Sequence, residues 1–208
     1  MTQIDYYDYT PTVTLARPVA CIGHPGSAYR EVAYDLAALT GLPLHDFDRR
    51  IEHEIGQNLW AYVRDHGSAS LHSLEEALLP GLLSQSPPGL LLLGEGALHS
   101  SQQLARVRAQ AALVFFRLPR ATCYWALRRQ LEERGGALRH PWLPDRLEQP
   151  QDLQPFLDGI GPVRAAADHV IDMEGQGVHE VVQALYALLP ALGQTGSAVI
   201  HPTDGSRS

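Results

Sequence analysis

Between residues 19 and 31 the chain passes from a short apolar run (19–22) through glycines at 23 and 26 into helical apolar spacing that begins at about Tyr29. A buried strand, a tight turn and a helix, in that order, form the first half of a βαβ unit. A chain that repeats the unit has few options besides a parallel sheet covered by helices. The unit does repeat. Residues 39–48 read as a helix end, a turn and a second strand, 89–94 as a third strand closing on a glycine-rich turn, and 111–118 as a fourth. Helical spacing is expected over 29–40, where Val32, Leu36 and Leu39 share a face, over 51–84 with breaks at Gly56 and Gly67, and over 100–110, 121–133 and 177–192. The fold class is therefore α/β with a parallel sheet.

At 208 residues and 45% hydrophobic content the chain can bury a full core, and one domain over 19–192 is expected. Residues 1–18 form an extension carrying Tyr6, Tyr7 and Tyr9, and the Gly/Ser/Thr-rich stretch 193–208 reads as a flexible tail. A formal net charge of −7 with no block of basic residues argues against a nucleic-acid partner. No apolar run is long enough to span a bilayer, and the N-terminus lacks a signal pattern. Two cysteines, Cys21 and Cys123, without C-x-x-C spacing, point to free thiols in a reducing compartment. A cytoplasmic location without membrane contact is the expectation.

The stretch Gly23-His24-Pro25-Gly26-Ser27-Ala28-Tyr29-Arg30 has the position and length of a phosphate-binding loop without its chemistry. In the working form, G-x-x-x-x-G-K-[ST], backbone N–H groups cradle phosphates, the lysine reaches their oxygens and the hydroxyl holds Mg²⁺. Here the last three positions are Ala28, Tyr29 and Arg30. A phenol is uncharged at neutral pH and a guanidinium cannot ligate a cation. Mg-ATP chemistry therefore starts handicapped.

The serial order of short motifs around this loop resembles the shikimate kinases, small P-loop kinases of the nucleoside-monophosphate-kinase type, from about Val19 to Leu189. The resemblance implies a three-layer α/β/α architecture, a substrate-binding subdomain at about 49–85 and a lid at about 134–150. It also implies roles. Asp46 corresponds to the aspartate near the metal and transferred phosphate, and Asp48 to the one that binds substrate hydroxyls. The family's Phe-Arg-x-x-Glu becomes Leu71-His72-Ser73-Leu74-Glu75, so His72 stands where an arginine pairs with the substrate carboxylate. The Gly-Gly-Gly turn becomes Gly94-Glu95-Gly96, with a carboxylate facing the place of an anionic substrate. The lid's Arg-Pro-Leu-Leu appears as His140-Pro141-Trp142-Leu143, with Arg139 one place early. The late Arg-x-Pro-Leu-Tyr falls in Gly159-Ile160-Gly161-Pro162-Val163, which has no arginine.

These departures decide the expected function. Phosphoryl transfer is almost entirely positioning and charge stabilisation, and each lost electrostatic group costs about 3 kcal/mol or more. Several absent together favour a pseudoenzyme that binds a small molecule or a protein partner, with no cofactor. Two alternatives stand beside it: an active small-molecule kinase using Mg-ATP, with Asp46 as its catalytic group, and a different reaction that reuses the pocket. Each candidate also has a plainer account. Asp46 and Asp48, read as two apart on one strand, could be capping residues, and Tyr29 could fill the empty nucleotide pocket and shut it. Trp142 could shield a ligand or anchor a partner. Glu95 disfavours anions and suits an amine or a hydroxyl-rich ligand. Of the ten histidines, His24, His45, His72 and His99 fall near the expected site, but no zinc-helix spacing appears, and no metal site is expected.

Overall fold

The apolar runs become five parallel strands: β1 (Val19–Gly23), β2 (Leu44–Asp46), β3 (Leu90–Leu92), β4 (Ala112–Arg117) and β5 (His169–Asp172). The computed structural model describes residues 13–133, 139–144 and 146–193. The sheet order is β2-β3-β1-β4-β5, so β1 lies in the middle and the chain winds outward to either side of it. The reversal opens a crevice beyond the carboxyl end of β1, where ligands of doubly wound sheets bind.

Side chains alternate across the strands. Val19 and Cys21 of β1 and Val114 and Phe116 of β4 point to one face, which is covered by α1 (Tyr29–Thr40), α6 (Arg120–Glu133) and α8 (Val178–Leu192). Ala20, Ile22, Leu113 and Phe115 point to the other, where α2 (Phe47–Ile55), α3 (Leu59–His66), α4 (Ser68–Leu83), α5 (Ser101–Gln110) and α7 (Gln154–Ala166) contribute to the core. Helices thus cover both faces of a parallel sheet, as expected. Cys21 and Cys123 are both buried free thiols, and burial pushes the pKa of each up to about 12.

The structure corrects the sequence reading at one site residue and extends it at two elements. β2 ends at Asp46, and Asp48 belongs to the first turn of α2, so the two aspartates do not share a strand. Asp46 is instead the N-cap of α2, its side chain accepting the Arg49 N–H at 3.2 Å, which satisfies one of the helix's free donors. Strand β5 and helix α7 are elements that the sequence reading did not identify. Residues 1–12, 134–138, 145 and 194–208, which include most of the N-terminal extension, part of the lid and the tail, lie outside the described residues. Among the described residues, no helix is long and apolar enough to cross a membrane.

Candidate functional site

The loop after β1 keeps a tight curl. Gly26 has φ 76°, and Ala28 sits in the left-handed region at φ 55° although it carries a Cβ. His24 does not face the crevice. Buried, its Nδ1 lies 2.7 Å from the Leu118 carbonyl oxygen and 3.1 Å from the Leu118 N–H, so it fastens the loop to the end of β4. Burial lowers its pKa. Pro25, Ser27 and Arg30 border a cavity of about 430 Å³, together with Asp48, Glu95, Arg139 and His140.

Tyr29 does not shut that cavity. Its ring enters the core at 2% exposure, 6.1 Å from the Phe116 ring, and its hydroxyl donates to the Leu93 carbonyl at 2.9 Å. An aromatic body with one satisfied hydroxyl is stable there, and burial, aided by Glu95, pushes its pKa well above the ordinary phenol value.

Arg30 turns the other way. Its guanidinium pairs directly with Asp48 and lies 3.5 Å from Glu95 and 3.9 Å from Asp46. One cation therefore serves three carboxylates delivered by α2, the turn after β3 and the end of β2. Burial, opposed by Arg30 and reinforced by Glu95, pushes Asp48 up to about 7. Burial also acts to raise Glu95, but His140, with Nε2 3.7 Å away, and Arg30 outweigh it and hold Glu95 down at about 2. Asp46 also accepts the Tyr34 hydroxyl at 2.7 Å.

A second group sits at the smaller cavity, of about 250 Å³. His72 and Glu75 are three apart on one face of α4, with Nδ1 to Oε2 at 3.0 Å. His99, from the loop after β3, brings its Nδ1 to 3.8 Å from the same oxygen. The two imidazoles lie 3.6 Å apart, and Trp142 stacks on His72 at 4.5 Å and 11°. Burial raises the Glu75 pKa against the pull of His72, and burial followed by His72 lowers that of His99. His45 takes no part in either group; it lies with Arg49 and His53 along a separate groove.

The family profile described as Shikimate kinase matches residues 25–189. The chain belongs to the shikimate kinase family. The shikimate kinase of Paracidovorax citrulli (strain AAC00-1) is 30% identical over 178 residues, 83% of this chain and 91% of that protein. The one from Salinibacter ruber (strain DSM 13855 / M31) is 28% identical over 174 residues, 81% of this chain and 82% of its own. Among solved structures, shikimate kinase from Acinetobacter baumannii in complex with shikimate superposes with a TM-score of 0.70 at 22% identity, covering 84% of this chain and 94% of that one.

Within the shikimate kinase frame, the positions singled out by sequence fall into two neighbouring groups. Asp48, Glu95, Arg30 and His140 gather around the larger cavity, with Asp46 3.9 Å from Arg30 but lining the separate groove, while His72, Gly96 and Trp142 line the smaller, with Glu75 paired to His72. Arg139 lies with its guanidinium 5.6 Å from the Trp60 ring, at the far wall of the larger cavity. Both glycines of the Gly94-Glu95-Gly96 turn allow close approach: a Cβ on Gly94 would collide with the Asp48 carboxylate, and one on Gly96 with the Trp142 indole. Gly96→Ala is therefore expected to push Trp142 off His72, read as a shift in indole emission and weaker quenching of the chain's fluorescence. Unchanged emission would mean that the stack does not depend on this turn. The residue that sequence reasoning missed is His99 as a partner of His72 and Glu75, because 24 residues or more separate it from them.

Proposed function

We propose that this chain is a small-molecule-binding member of the shikimate kinase family whose loop has given up Mg-ATP phosphotransfer. The observation that carries the reading is Arg30, held at the Mg²⁺-ligand position of the loop and paired to Asp48 and Glu95. A guanidinium there cannot ligate Mg²⁺, and it occupies the carboxylate that would bind a substrate hydroxyl. The lysine position is filled by a phenol turned into the core. No other lysine can take its place, since all 16 basic residues of the chain are arginine. The larger cavity sets Glu31, Asp48, Glu52 and Glu95 against Arg30 and Arg139, a balance that opposes a polyphosphate. The residues present thus do not fit Mg-ATP.

The ligand that fits is hydroxylated and neutral or cationic, since Glu95 and His72 stand where an anionic substrate would need N–H groups and an arginine. A second reading is favoured by family membership itself and by the retained curl at Gly26 and Ala28. It makes the chain an active small-molecule kinase for a hydroxylated acceptor, with Asp46 beside the transferred phosphate.

Calorimetry of the full chain separates the two. At millimolar Mg-ATP, alone or with shikimate, we expect no binding heat, no thermal stabilisation and no ADP release. Saturable binding followed by ADP release would replace the first reading by the second.

A further inference from the structure

Glu75 is 1% exposed, and its carboxylate faces two imidazole nitrogens. Among the described residues no arginine approaches it within the distance of an ion pair. A carboxylate taken out of water needs a positive partner. What faces it here is a pair of imidazoles whose ring centroids lie 3.6 Å apart at 31° to each other. The donor atoms of His72, Glu75 and His99 all lie within 4.8 Å of one another. Around a tetrahedral ion with bonds of about 2.0–2.1 Å, donors stand about 3.3 Å apart. The observed separations from the Glu75 oxygen, 3.0 and 3.8 Å, bracket that spacing.

We propose that His72, Glu75 and His99 form a three-ligand site for a divalent transition metal of the zinc type, with its fourth side open to the smaller cavity. Two neutral imidazoles and one carboxylate are a donor set that suits zinc and leaves one position for water or a ligand oxygen. The scaffold holds the set in place. His72 and Glu75 share one helical face, and Trp142 stacked on His72 fixes the plane of that ring. The fourth position opens onto the cavity of about 250 Å³, which accommodates the hydroxyl oxygen of a small molecule. The site is independent of how the loop at residues 23–30 is read, since no loop residue contributes a donor.

The test uses the full chain after chelator treatment, titrated with Zn²⁺ against a competing chromophoric chelator, and with Co²⁺ followed by visible absorption. One equivalent should bind, and Co²⁺ should show the intense visible bands of a four-coordinate site. His99→Ala, on a half-exposed loop side chain, should weaken Zn²⁺ by roughly 100-fold or more, since even outer partners of a ligand are worth 10–100-fold. Glu75→Gln, which keeps the side-chain shape, should do the same with circular dichroism unchanged. Absence of a saturable equivalent overturns the proposal. So does binding that both variants leave intact, which would assign the metal to other histidines.

Discussion

Replacing Arg30 with methionine is expected to destabilise the protein by about 3–5 kcal/mol at pH 7.5, because it removes the guanidinium from two carboxylates that stay buried. The side chains of Asp48 and Glu95 are 17% and 12% exposed, so water does little to replace the lost partner. Denaturant unfolding at several pH values reads the effect. Asp48 in the folded chain stands at about 7 against its ordinary 3.8, so the folded state binds a proton that the unfolded state releases. Its contribution is full below about pH 4 and is lost as pH rises to about 7. Glu95 has the opposite sign. Held at about 2 against its ordinary 4.5, it stabilises above about pH 4.5 and loses that contribution as pH falls toward 2. The natural chain should therefore be most stable at about pH 4 to 4.5, and Arg30→Met should fall away more steeply above it. A flat profile between pH 4 and 8 would refute the buried cluster.

Truncating Tyr29 to alanine should cost about 3–5 kcal/mol, the range for losing a buried aromatic ring. Tyr29→Phe keeps the ring against Phe116 but removes the donor to the Leu93 carbonyl, and about 1–3 kcal/mol is expected. The instructive variant is Tyr29→Lys, which restores the residue type of a working loop. At a position 2% exposed, an ammonium would replace a phenol in the core, so we expect a loss at least as large as for alanine and no gain of Mg-ATP binding. If Tyr29→Lys unfolds at the natural midpoint and binds Mg-ATP, the position faces the cavity rather than the core.

Much of the fold is legible in the sequence because β1 and β4 are almost wholly apolar runs bounded by turns. A strand buried on both faces has to look like that. The edge strand β5 does not. His169–Asp172 is four residues long with polar ends, and Val170 is 43% exposed, so neither alternation nor hydrophobicity marks it. Helix α7 hides behind Gly159, Gly161 and Pro162, residues that count against a helix, and it persists because Ile160 and Val163 are buried against the sheet. Asp46 carries a helix-start signal that is masked by the strand preceding it, which is why the sequence pattern alone assigns Asp48 to that strand rather than to α2. The site divides in the same way. His72 and Glu75 can be matched by their spacing on one helix, whereas His99 joins them only because the chain returns through β3 and delivers its loop beside α4. Contacts made by topology leave no local trace.

The Arg30 cluster also governs which molecules can compete for the larger cavity. A guanidinium tethered to the loop stands beside Asp48 and Glu95 at an effective concentration on the order of millimolar or above. A diffusing amine that seeks those carboxylates must displace this resident rival, so only a tight binder registers. A neutral polyol that hydrogen-bonds to the cluster without unseating Arg30 meets no such opposition. The chain carries its own antagonist for one class of ligand and leaves the other free to enter.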